Sequence, residues 1–289
     1  MPELPEVETV VRDLRAAGVA NAVIDECRFY WPKTAACLPP EQFAAALCGR
    51  TVVAVSRRAK YIVLSLDDGR ALLIHLRMTG KLRLEPLPAK PLPHDRAQLI
   101  FADGRALVFN DTRTFGRFQL ADTVTGTLAN IGPEPLDDAF TADVLAARLH
   151  SRRRAVKPVL LDQSVVAGIG NIYADESLFA ARIHPERPAA SLTRREMVRL
   201  HAAIRATLAR AIQANGTTLG SATTNFYSVA GRRGSNADNI RVFRRHGQPC
   251  PCCGTTIRRA VVGGRGTHFC PTCQPRRRPN PSSPVSPLS

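Results

Sequence analysis

The sequence predicts an α+β chain of several domains: an N-terminal helix with an antiparallel β-sandwich, then a helical domain, then a C-terminal cysteine ribbon. Three patterns carry that expectation. Short apolar runs alternate with turn signals over residues 51–121, the mark of antiparallel strands. From residue 141 the apolar spacing becomes that of amphipathic helices. Five of the eight cysteines crowd between Cys250 and Cys273.

In chain order, Leu4, Val7, Val10, Val11 and Leu14 sit at helical spacing over residues 3–17, and Gly18 supplies the stop. TVVAVS, YIVLSL before Asp67-Asp68-Gly69, ALLIHL, and ALVF after Asp103-Gly104 predict strands of a sandwich or flattened barrel. The turn-rich IGPEP at 131–135 closes a domain of residues 1–133. TADVLAARLH, VKPVLLDQ, NIYADESLFAARI and TRREMVRLHAAIRATLARAIQ place helices in a second domain, 134–240, which ends in a polar, glycine-containing loop. The cysteine module covers 241–275. The Pro/Ser-rich tail, 276–289, is expected to be disordered.

With 44% hydrophobic residues the chain can bury a core. No run approaches the ~18 apolar residues of a membrane span. The start carries Glu3, Glu6 and Glu8 and no basic segment, so no signal peptide is expected and a cytoplasmic protein follows. The net charge is +16, and residues 231–278 hold 11 arginines against the single acid Asp238, or +10. Charge concentrated in this way points to a polyanionic partner rather than to a merely soluble surface. Cys27, Cys37 and Cys48 are expected to be buried thiols, not disulfides.

The spacing Cys250-x2-Cys253-x16-Cys270-x2-Cys273 is that of a four-thiolate zinc site built from two CxxC knuckles and a hairpin. One structural Zn2+ is expected, since four thiolates leave no open position for water. Cys252 lies inside a knuckle and is left out of the set. The hairpin presents Arg258, Arg259 and Arg265.

Six motifs in order then give the chain a family resemblance: PELPEVET at the start, RRAKY at 57–61, HLRMTGKLR at 75–83, DTRTFGR at 111–117, VVAGIGNIYADESLFAARIHP at 165–185 and GRGTHFCPTCQ at 264–274. The chain resembles the formamidopyrimidine-DNA glycosylase family, which includes the endonuclease-VIII-type enzymes, over roughly residues 1–275. It lies closer to the formamidopyrimidine/8-oxoguanine branch. The resemblance implies that the helical domain is a helix-two-turn-helix domain and that the cleft between the lobes binds double-stranded DNA with oxidised bases or abasic sites. It implies a monomer that excises oxidised purines and then cleaves by β,δ-elimination. The alternatives are an endonuclease-VIII-type enzyme for oxidised pyrimidines and a non-catalytic damage-binding protein.

The resemblance makes Pro2 the nucleophile once Met1 is removed. Its chemistry suits the role: an α-amino group has a pKa near ~8 against ~10.4 for lysine. A secondary amine also forms an iminium that keeps its charge as an electron sink. Glu3 corresponds to the acid that opens the sugar ring, although a helix N-terminus would by itself keep it ionised. Lys60 matches the lysine of β-elimination, and Arg265 the zinc-finger arginine that clamps phosphate. Met78, Arg113 and Phe115 match the trio that fills the gap left by a flipped base. Asn171, at a helix start after Gly168-Ile-Gly170, is expected in a phosphate-binding nest. His94, Arg153 and neighbouring Arg152 are further phosphate contacts. Glu6, Ile172, Thr217 and Phe243 form the lesion pocket. Phe243 departs from the family pattern, where a tyrosine is usual, and residues 220–239 are among the less typical segments.

Overall fold

A computed structural model describes residues 2–219 and 226–276. Met1, residues 220–225 of the expected loop, and the tail from 277 lie outside the described residues.

The N-terminal lobe opens with α1 (Leu4–Ala16), with Pro5 in its first turn where a missing N–H has no consequence. Two sheets follow. β1 (Ile24–Phe29), β6 (Lys81–Pro86), β7 (Asp95–Phe101) and β8 (Arg105–Asn110) form one, in the order β1-β7-β8-β6. β2 (Ala35–Ala36), β3 (Val52–Arg58), β4 (Tyr61–Leu66), β5 (Ala71–His75) and β9 (Arg117–Ala121) form the other, in the order β2-β9-β5-β4-β3. All pairings are antiparallel except β2 with β9. Ile62, Leu64, Leu72 and Ile74 of one sheet meet Leu99, Phe101, Leu107 and Phe109 of the other in a common core. α2 (Pro40–Leu47) adds Phe43 and Leu47. The expected sandwich is present.

β5 departs from simple alternation, since all five residues are buried. Its outer face is covered too: Leu73 and Ala71 pack with Leu128, Val124 and Ile131 from α3 (Val124–Thr127) and the chain beyond it. The expectation for the early cysteines is corrected here. Cys27 is a buried thiol, but Cys37 and Cys48 are exposed, and all three are free.

The helical lobe holds α4 (Ala142–His150), α5 (Val156–Leu161), α6 (Asn171–Ala180) and α7 (Arg194–Gln213). Thr193 caps α7 by accepting the Glu196 N–H, while Glu196 accepts the Thr193 N–H at 2.9 Å, a reciprocal arrangement that satisfies two orphan donors. The ribbon is β10 (Arg258–Val262) paired with β11 (Arg265–Phe269).

α1 joins the lobes. Val7, Val10, Val11 and Leu14 belong to the sandwich core, whereas Leu4 is fully buried in the helical core beside Tyr173 and Ile169. Burying one such leucine contributes about 1.5–3 kcal/mol. Phe226 and Val229 also pack against the sandwich core, and Ala230 donates its N–H to Asp13 of α1. The loop that ends the helical segment therefore rests on the N-terminal lobe.

Candidate active site

Pro2 and Glu3 precede α1 and lie on the floor of a cleft of about 1270 Å3 that runs between the lobes. The close approach of this segment to the helical lobe depends on two glycines. Gly168 has φ +78°, and a Cβ there would sit 2.6 Å from Leu4 Cδ1; a Cβ on Gly170 would collide with the Glu3 carboxyl. Leu4 donates its N–H to the Gly168 carbonyl at 3.1 Å. This gives the GIG motif a steric reason.

Glu3 is 1% exposed. Its carboxylate accepts the backbone N–H groups of Gly170 (2.8 Å), Ile172 (2.9 Å) and Tyr173 (3.3 Å) at the start of α6. Burial pushes its carboxyl above the usual range, against the pull of Lys60 and of the donors on Ile172 and Tyr173. The desolvation that an acid at this position needs is thus built in. The nest expected around Asn171 is corrected by the same bonds, because the N–H groups of Gly170, Ile172 and Tyr173 are taken by Glu3. Asn171 is the first helical residue rather than the cap, and its side-chain amide donates to the Gly266 carbonyl of the ribbon at 3.0 Å.

Lys60 is 7% exposed and donates its Nζ to the Ile169 carbonyl at 2.9 Å. Burial lowers its pKa, with Glu3 and Glu6 opposing. Gln163 braces the same turn: its amide donates to Ile169 O and accepts the Gly168 N–H. His75 also lines the cleft. Burial first, then Arg77 and Lys60, push its pKa down to about 3, so it is neutral at neutral pH.

The opposite wall carries Met78, Arg113 and Phe115. Met78 is 40% and Phe115 46% exposed. Arg113 donates to the Met78 sulfur at 3.1 Å, and its guanidinium lies 4.8 Å from the Phe115 ring centre. Three residues from two loops form one protruding group. Asp111, fully buried, ties those loops by accepting from the Thr79 hydroxyl and the N–H groups of Arg113 and Gly116. Arg265, Ile172, Thr217 and Phe243 line the cleft as well. Among the lining residues, Lys60, Arg77, Lys81, Arg113, Arg117, Arg244 and Arg265 face the single acid Glu3.

Four expected residues lie elsewhere, Arg152 among them, half-buried between α4 and α5. Glu6 is 1% exposed behind the floor, accepting from Glu3 N, Tyr173 Oη and Thr217 N. His94 is exposed on the loop between β6 and β7, and Arg153 is exposed between α4 and α5.

The Sγ atoms of Cys250, Cys253, Cys270 and Cys273 all lie within 4.8 Å of one another. Neighbouring pairs stand 3.5 and 3.8 Å apart. A tetrahedral zinc with ~2.3 Å bonds needs about 3.8 Å, so the four thiolates fit the ion. Exposed Cys252 is outside the group.

The attachment of the ribbon was not foreseen. Lys157 of α5 and Asp175 of α6, both fully buried, pair at 2.7 Å. Lys157 also donates to Gly266 O and Thr267 Oγ1, and Asp175 accepts the His268 N–H. Glu176 accepts the N–H groups of Arg241, Val242 and Phe243, each at 2.9 Å. Charges taken fully out of water need such partners, and only the packing brings these together.

A two-lobed fold with a four-thiolate ribbon, and a cationic cleft floored by a buried acid, suits a protein that holds a polyanionic strand. The particular assignment comes from comparison. Residues 1–118 match the formamidopyrimidine-DNA glycosylase N-terminal domain, 131–223 the H2TH domain of the same enzymes, and 247–276 the zinc finger found in FPG and IleRS. The chain belongs to the formamidopyrimidine-DNA glycosylase family. It is 46% identical over 276 residues to the enzyme of Roseiflexus sp. (strain RS-1), spanning 95% of this chain and 100% of that one. It is 47% identical over 277 residues to that of Chloroflexus aggregans, spanning 95% and 98%. Among solved structures, a Lactococcus lactis FPG variant in complex with Fapy-dG DNA superposes with a TM-score of 0.88 at 36% identity, covering 95% of this chain and all of that one. The MutM (FPG) protein of Thermus thermophilus gives 0.86 at 41%, covering 96% and 100%. The zinc finger match and the four clustered thiolates together make the site that of one structural zinc. No helix among the described residues is long and apolar enough to cross a membrane.

Proposed function

We propose that this protein is a bifunctional glycosylase and abasic-site lyase acting on oxidised purines in double-stranded DNA, with the amine of Pro2 as nucleophile after removal of Met1. The observation that carries the reading is the placement of Pro2, Glu3 and Lys60 together on the floor of the cleft. The Pro2 nitrogen attacks C1′ of an extruded nucleotide and the bond from C1′ to the base breaks. Glu3, held protonatable by burial, gives a proton to the ring oxygen as the sugar opens. The resulting iminium is the electron sink for loss of the 3′ and then the 5′ phosphate. Lys60, whose charged form burial disfavours, takes the C2′ proton as a neutral amine while the bond from C3′ to the 3′ phosphate breaks. Met78, Arg113 and Phe115 fill the stack, and Arg265 holds a phosphate. Glu6 acts on the lesion pocket through Thr217. Phe243, Ile172 and Thr217 bound that pocket, and Asn171, His94 and Arg153 complete the DNA contacts. The purine preference is supported by the Lactococcus relative, whose complex holds Fapy-dG.

Borohydride trapping tests the reading. Untagged protein whose N-terminal mass shows Pro2 exposed is incubated with a duplex carrying 8-oxoguanine opposite cytosine. A covalent adduct is expected, and it is lost when Met1 is retained; Pro2→Gly, whose amine is primary, exchanges the permanently charged iminium for an imine. Trapping only on oxidised pyrimidines would move the enzyme to the endonuclease-VIII type. No adduct on either would leave a non-catalytic binder.

A further inference from the structure

Arg244 stands on the cleft wall between the helical lobe and the ribbon, exposed to solvent. Its backbone is left-handed, with φ +58°. It is the third residue of a turn that Arg245 closes by donating its N–H to the Val242 carbonyl at 3.0 Å. Turns with positive φ at that position take glycine by preference, since a Cβ is disfavoured there. Glu176 holds the turn in place by accepting the N–H groups of Arg241, just before it, and of Val242 and Phe243, its first two residues. Arg182 also has positive φ, but there the conformation closes the end of α6, its N–H reaching Phe179 O. Arg244 has no such excuse on the backbone side, and an outlier of this kind at a cleft points to the side chain.

That side chain is an unused cation. The guanidinium lies 5.8 Å from the Phe243 ring centre, and among the described residues it has no hydrogen bond or ion pair. The one acid lining the cleft, Glu3, is committed to three backbone donors. Phe243 is 7% exposed and offers a flat face but no polar atom. The ring is an apolar neighbour of the guanidinium that narrows the rotamers of Arg244 without using its donors.

We propose that Arg244 is a phosphate-binding residue of the cleft, gripping a phosphodiester oxygen of the bound strand on the same wall as Arg265. A planar fork of donors suits phosphate. Conformational strain in the turn is the accompanying disadvantage of placing it there.

This inference rests on the DNA reading of the cleft, and the test keeps the two apart. Dissociation constants are measured over a salt series for wild-type protein, Arg244→Ala, Arg244→Gly and Arg244→Lys. The probes are an undamaged duplex and one carrying a tetrahydrofuran abasic analogue. Loss of one phosphate contact should lower the slope of log K against log salt by about 0.9 in the Ala and Gly variants. Affinity should fall several-fold on both duplexes, and Lys should keep most of the slope. The Tm of Arg244→Gly should hold or rise, because glycine accepts the turn, which separates lost binding from lost folding. Unchanged slopes in both Ala and Gly overturn the proposal. A loss confined to the tetrahydrofuran duplex overturns the phosphate assignment in favour of a lesion contact. A flat slope for wild-type protein overturns the DNA reading and this proposal with it.

Discussion

The Glu3 carboxylate accepts the Gly170 N–H at 2.8 Å, and the space beside that bond has no room for a Cβ. The acid and the loop that holds it are fitted to each other across 167 residues of sequence. Gly170→Ala should therefore displace Glu3 without unfolding either lobe. Displacement of a reacting group by about 1 Å costs on the order of 100-fold in rate. Single-turnover excision with circular dichroism as the folding control measures it, and wild-type rates would contradict the fit.

Glu6 gives a pH signature. Burial first, and Glu3 second, push its carboxyl from the ordinary 4.5 to about 7. Between those values the folded chain keeps a proton that the unfolded chain has shed, so this group's contribution to stability falls as pH rises through the window. At about 1.36 kcal/mol per pH unit, wild-type protein should lose about 3 kcal/mol against Glu6→Gln from pH 4.5 to 7. Urea melts of both proteins at several pH values would show it; parallel curves would refute it.

Lys157→Met leaves the fully buried Asp175 without its lysine partner. Removal of one partner of a buried pair destabilises by about 3–5 kcal/mol. Because Lys157 also holds Gly266 and Thr267, hydrogen exchange should rise first along β11. A loss below 1 kcal/mol, as for a surface pair, would mean that water reaches the site.

Chelation of the zinc should release the ribbon and with it Arg265. Structural zinc supplies about 10–16 kcal/mol to such modules, so the order of residues 247–276 should vanish while α1 and the sandwich persist. DNA binding should fall with it. Retained binding by metal-free protein would show that the ribbon is not part of the clamp.

Much of this was legible in the sequence, because the relevant signals are periodic or local. The α1 spacing gave Leu4 to Leu14, the runs before Asp67 and after Gly104 gave β4 and β8, and the CxxC pairs gave the thiolates. Pro2, Glu3 and Lys60 were named from motifs, and the fold puts them on one floor. What escaped is what depends on partners far along the chain. The helix start at Asn171 read as an open anion site, because nothing local reveals that Glu3 fills it. Lys157 and Asp175 carry no local mark, since only the packing of α5, α6 and β11 takes both out of water. Cys37 and Cys48 carry no periodic signal, and their exposure could not be read.

The position of Pro2 on the cleft floor has a consequence for biosynthesis. Glu3 and Leu4 are clasped by residues 168–173, so the start of the chain has no such partner until those residues have been made. At about 5–20 residues per second, the ribosome takes on the order of 10–35 s to reach them. On the proposed reading, that interval is when an aminopeptidase finds Met1 on a free, extended end. Once the helical lobe closes over Leu4, a chain that escaped removal of Met1 is a finished fold without its nucleophile. Rapid production should therefore yield mixed populations of identical fold and unequal activity, resolvable by intact mass.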